Sequence, residues 1–159
     1  NDVAVPLTDG SKAGNANAIY VDGDNVYVAG NEGLATGLNT TAVYWRNGQI
    51  TQISDVTKSA NAYSIFIYEG DIYVAGRESN GTVNVAKFWK NGKETLLSDG
   101  QFNASATSIY VIDGDVFVAG TEFDGTKNLA KYWKNGKAIT LGKGTNSSGA
   151  TSIYVQKKK

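Results

Sequence analysis

The chain has 159 residues, 41% of them apolar and 11% aromatic, and its 15 basic and 15 acidic side chains cancel. That length suits one ordinary domain with its own core. The charge balance excludes a phosphate-tracking surface, which needs a basic excess, so no nucleic-acid partner is expected. Cysteine, histidine and methionine are all absent, which removes disulfides, thiol chemistry, the commonest general base and the commonest metal ligand.

Taken from the start, the chain opens at Asn1, which suits a processed, trimmed or designed product. No signal peptide and no apolar run of membrane-spanning length follow, so no membrane partner is expected. Residues 3–7, followed by Thr8-Asp9-Gly10, read as the last strand of a unit whose other strands are not present; Leu97-Ser98-Asp99-Gly100 is the fuller version. From there a repeat begins. Trp45, Trp89 and Trp133 recur at intervals of 44 and 44 residues, and Asn47-Gly48, Asn91-Gly92 and Asn135-Gly136 keep the same spacing. The string Val-Ala-Gly ends at Gly30, Gly76 and Gly120. A period in this range marks an array of one supersecondary unit. The boundaries are a partial unit at 1–16, full repeats at 17–60, 61–104 and 105–148, and a partial unit at 149–159.

Each full repeat reads as four short antiparallel strands. In the third they are 107–112, 116–120, 128–134 and 137–141. Ile109 and Val111 alternate with Ser108 and Tyr110, as a pleated strand requires. Asp113-Gly114 and Asn135-Gly136 supply tight hairpin turns. Residues 151–155 repeat the first strand, so the chain is cut out of phase with its own unit.

The inner strand Ala-Thr-Ser-Ile-Tyr-Val at 106–111, a Gly-containing turn, Val-Phe-Val-Ala-Gly at 116–120 and a Trp near the end of the third strand resemble a WD40-like β-propeller blade. The closest likeness is to bacterial, exported propeller repeats with Tyr-Val-Ala-Gly and Tyr-Trp-Lys-Asn-Gly strings. The Asp of the Trp-Asp pair is replaced by Arg46, Lys90 or Lys134, so the hydrogen-bond network of that family does not carry over. The resemblance implies an all-β fold of propeller blades and, for a natural chain, an extracellular or cell-envelope location. Propellers have about 4–8 blades, so three full units imply a ring completed by association, with a homodimer as the simplest product. A β-trefoil, also three four-stranded repeats, is the alternative fold.

Three residue series are candidates for function. The tryptophans fit packing between neighbouring units; stacking on a sugar would need them exposed. The acidic turns at 22–24, 69–71 and 113–115 fit hairpin geometry better than a calcium loop. Glu32, Glu78 and Glu122 follow the Val-Ala-Gly string by two residues. They are assigned to loops at 31–40, 77–83 and 121–127, which share one face with Asp55 and Asp99 in the loops at 54–62 and 98–106. Repeated carboxylates on a loop face can accept hydrogen bonds from sugar hydroxyls. The acids recur with the repeat instead of forming one asymmetric pair, so no enzyme activity, no metal site and no cofactor is expected. The expected role is a self-assembling scaffold, designed or recently amplified; the alternative is a module binding a glycan or protein ligand on the loop face.

Overall fold

The structure is a computed structural model that describes residues 4–33, 39–142 and 144–157. It contains three four-stranded antiparallel sheets, each formed by strands consecutive in the chain. Sheet 1 comprises β1 (Gly14–Asp22), β2 (Asn25–Gly33), β3 (Thr40–Arg46) and β4 (Gln49–Gln52). Sheet 2 comprises β5 (Ala60–Tyr68), β6 (Asp71–Ser79), β7 (Asn84–Lys90) and β8 (Lys93–Leu96). Sheet 3 comprises β9 (Ala104–Ile112), β10 (Asp115–Phe123), β11 (Asn128–Lys134) and β12 (Lys137–Thr140). The β-trefoil alternative is therefore wrong: its barrel pairs strands of different units, and every ladder among the described residues lies within one unit.

Local chemistry explains the hairpins. Asn47, Asn91 and Asn135 each adopt φ near 50°, followed by Gly at 81° or 82°. A tight primed turn needs this pair of positive φ values. The Asn side chain adds a second task. Its Oδ1 accepts the backbone N–H of Val26, Ile72 or Val116 at 2.8–2.9 Å, tying the turn to the start of the second strand. The acidic turns are hairpins as well: Glu69-Gly70 and Asp113-Gly114 take positive φ at both centres, whereas the first unit uses Gly23 alone.

The glycine of Val-Ala-Gly has a packing origin. The inner strand of each unit bulges at Asn17, Tyr63 or Thr107, which shifts its register against the second strand. The bulge presses a carbonyl of the inner strand onto the glycine. A Cβ at Gly30, Gly76 or Gly120 would lie 1.9–2.0 Å from the backbone oxygen of Asn15, Asn61 or Ser105.

Sheets pack face to face through apolar side chains supplied from both sides. Tyr27, Ala29, Ala42 and Ile53 of the first unit meet Ile65, Ile67, Val74 and Trp89 of the second. Tyr73, Ala75, Phe88 and Leu97 of the second meet Ile109, Val111, Val118 and Trp133 of the third. All three tryptophans are fully buried, so the sugar-stacking reading of the indoles fails. Near the inner strands one aromatic per unit forms a continuous row. The ring centroids of Tyr20 and Phe66 are 5.0 Å apart, those of Phe66 and Tyr110 are 4.7 Å apart, and those of Tyr110 and Tyr154 are 5.2 Å apart.

Three readings of strand extent need correction. The second strand of each unit continues beyond its glycine, because its ladder with the third strand persists to Gly33↔Thr40, Ser79↔Asn84 and Phe123↔Asn128. The first strand begins earlier than read, at Ala104 in the third unit. The terminal segments are not strands among the described residues: 4–7 and 151–157 make no ladder. Residues 1–3, and 34–38 of the first long loop, lie outside the described residues. The segment 149–155 nevertheless runs where a fourth inner strand would run. Ile153 N–H donates to Ser108 Oγ at 3.2 Å, and Ile109 N–H donates to Ser64 Oγ at the same distance. It repeats the sequence of an inner strand and makes no ladder among the described residues.

Candidate functional site

Two features could carry function: the acidic series on the loop-bearing end, and the outer flanks of the first and third sheets.

Glu32, Glu78 and Glu122 sit in the last turns of pleat of β2, β6 and β10, not in loops. Each is neutralised by a lysine. Glu32 pairs with Lys12 at 2.9 Å, Glu78 with Lys87 at 2.9 Å, and Glu122 with Lys131. The pairing is not uniform. Lys87 and Lys131 occupy the same strand position, where the first unit has Val43. Lys12 and Lys58, which precede sheets 1 and 2, share another, where Phe102 precedes sheet 3. Glu78 thus has both partners, with Lys58 at 3.9 Å, and also accepts the backbone N–H of Asp55 at 3.2 Å. Glu78 and Lys87 are each only 4% exposed.

Such an arrangement holds carboxylates in place and leaves little acceptor capacity for a ligand. A buried ion pair costs most when one member is removed. Lys87→Val, which copies the first unit, should destabilise the chain by about 3 kcal/mol, because Glu78 is left buried with only the distant Lys58. Lys87→Val combined with Glu78→Leu should recover most of that loss. Urea unfolding at fixed protein concentration measures both, and a double variant as unstable as the single would refute the account.

Asp55 and Asp99 serve their own loops. Asp55 Oδ1 accepts the N–H and hydroxyl of Thr57 at 2.9 and 2.8 Å, and these bonds hold its carboxyl below the usual carboxylate range. Asp99 accepts the N–H of Gln101 at 2.9 Å. At the opposite end, Asp71 and Asp115 pair with Lys90 and Lys134 at 2.7 Å and accept the side-chain amides of Asn91 and Asn135. Those contacts lower both carboxyls as well. Among the described residues, no three carboxylates group as a metal site would require. Asp55 N–H donates to Glu78, which joins a loop position to a strand position at one end of the sheets, and the glutamates are anchored to lysines that the repeat pattern alone does not reveal.

The flanks differ. In sheet 1, Ile19 is 67% exposed and Val21 60%. The counterparts of Ile19 (Ile65 and Ile109) are 5% and 3% exposed, and those of Val21 (Ile67 and Val111) are buried too, because a preceding sheet covers them. With Val26, Val28, Trp45, Val5 and Leu7, Ile19 lines an apolar hollow of about 470 Å³. On the far side of sheet 3, Leu141 is 56% exposed, against 7% for Leu97 one unit earlier. Phe117 and Tyr132 on the same flank are half-buried, while their counterparts Tyr73 and Phe88 are buried. The two flanks are therefore the two halves of the contact already made twice inside the chain. The terminal segments lie on them: Leu7 packs on Val28, Val43 and Trp45, and Thr107 Oγ1 donates to the Ala150 carbonyl at 2.6 Å.

Comparison with known proteins gives no matching family model and no matching curated relative.

Proposed function

We propose that the chain is a non-catalytic, self-assembling repeat scaffold whose sheets act as β-propeller blades and whose ring is completed by a second copy. The observation that carries this reading is the exposure of Ile19, Val21 and Leu141, set against the burial of the same positions wherever a neighbouring sheet is present. Repeat units of this kind bury their apolar faces only on one another. Sheet 3 of one copy offers Phe117, Tyr132 and Leu141, and sheet 1 of the other offers Ile19, Val21 and Val26. Two copies joined at both flanks hold six full units, within the usual size of such rings, about 4–8 blades.

The terminal segments hold these places in the single chain, so closure exchanges them. The second copy's β1 takes the position of 149–155 beside β9, and Leu141 takes the position of the second copy's Leu7. The anchored state of Glu32, Glu78 and Glu122 supports a structural role for those acids.

Charging the open flank tests the reading. In the Ile19→Lys/Val26→Lys variant, two exposed positions change, so the single chain should keep its fold, with a stability change of about 0.5 kcal/mol or less per site. Association should be abolished, and light scattering should report one chain. Ile65→Lys places the same charge inside an existing contact and should unfold the chain. A double variant that associates as the parent does would refute head-to-tail docking.

A further inference from the structure

Most cations of the loop-bearing end are matched to acids; Lys127 is held by the Gly144 carbonyl instead, and Arg77 has neither kind of partner among the described residues. Arg77, on β6, has no carboxylate within ion-pair distance among the described residues, and its Nε is buried without an acceptor. The guanidinium lies 5.7 Å from the centre of the Tyr63 ring. The repeat does not explain it, since the matching positions are Asn31 and Thr121. The residue as a whole is only half-buried, so its terminal guanidinium nitrogens, which bond to no protein group among the described residues, can take a partner from the cleft.

Arg77 opens onto a cleft of about 300 Å³ between sheets 2 and 3, lined by Asn84, Asn103, Ala104, Ser105, Thr121 and Asn128. Only Ala104 contributes an apolar side chain. Asn84 Nδ2 donates to Asn103 Oδ1 at 3.3 Å. The hydroxyls of Ser105 and Thr121 and the amide of Asn128 make no hydrogen bond to the protein among the described residues. The cleft thus combines one planar cationic fork with several groups that can both donate and accept.

From this geometry we infer a binding site for a carboxylate-bearing sugar, a hexuronate residue. The fork of Arg77 suits the carboxylate, because guanidinium and carboxylate match as paired donors and acceptors. The hydroxyl and amide groups suit the ring hydroxyls. The site is formed within one chain, so it is present whether or not copies associate.

Titration of the full chain with sodium D-glucuronate at constant ionic strength, followed by nitrogen-15 NMR of the arginine Nε–H, tests the inference. Glucuronate should shift the Arg77 signal saturably. D-Glucose and acetate should each bind about tenfold more weakly or worse, since each lacks one half of the recognition. Arg77→Gln should lower glucuronate affinity about tenfold or more. Asn128→Ala, at an exposed position that the fold does not need, should lower it as well and carries the test if Arg77→Gln fails to fold. Absence of a saturable shift, equal affinity for acetate, unchanged affinity in the variants, or tighter binding of a tripeptide with a free carboxyl terminus would overturn it.

Discussion

Gly76→Ala should cost about 3 kcal/mol, the upper end of what overpacking does in a well-packed core, although only one methyl group is added. The new Cβ would meet the Asn61 carbonyl oxygen at 2.0 Å and the Ala62 Cα at 3.1 Å, both backbone atoms within a ladder. A flexible side chain could move aside; these atoms can move only by breaking the register of β5 on β6. A Cβ at Gly30 or Gly120 would meet the same contact and would also lie 2.9 Å from Cζ3 of Trp45 or Trp133, so Ala there should be at least as damaging. Gly92→Ala tests a different cause. Nothing lies within 4 Å of that position, and only its positive φ resists the substitution, so its cost should be about 1 kcal/mol. Urea unfolding of the four variants checks the ranking. Equal losses at Gly76 and Gly92 would show that the bulge carbonyl is not the reason for the glycine.

Trp89→Ala should destabilise by about 3–5 kcal/mol, the range for removing a large aromatic from a closed core. Trp89 lies in the contact between the first and second units, among Ile65, Ile67, Val74 and Ile53, and the neighbouring ladders prevent collapse around the cavity. Trp133→Ala should behave alike. Trp45→Ala should cost less in the single chain, because Trp45, though buried, is covered by Leu7 in place of a full sheet. If a second copy completes that contact, the deficit of Trp45→Ala should grow towards the other two as protein concentration rises. Thermal unfolding across a concentration series measures this; a gap that ignores concentration would count against closure by a second copy.

The unit was legible in the sequence because its signals are local. Asn-Gly at 47–48, 91–92 and 135–136 specifies a turn by φ alone, and the alternation Ile109, Tyr110, Val111 specifies a pleat. Strand ends were less legible. Whether β10 stops at Gly120 or runs to Phe123 depends on Leu129 and Asn128 continuing opposite it, which is a property of the pair. That error moved Glu32, Glu78 and Glu122 from strands into loops, and so cast them as ligand groups. Their lysine partners were visible as residues but not as partners, since Lys12 and Glu32 lie 20 residues apart in the sequence. The replacements Val43 and Phe102 hid the pattern further. Arg77 carries the opposite kind of signal: it does not recur, and it stands once where the other units carry Asn31 and Thr121.

The outer flanks connect these observations. Ile19, Val21 and Leu141, bare at the two ends of the chain, each have a covered twin in a neighbouring unit. The most direct measurement is the native mass of the unmodified, full-length chain across a dilution series. The account expects a species of twice the 16.9 kDa chain mass that dissociates on dilution. A folded single chain that persists at every concentration, with Ile19 and Leu141 still in water, would contradict it.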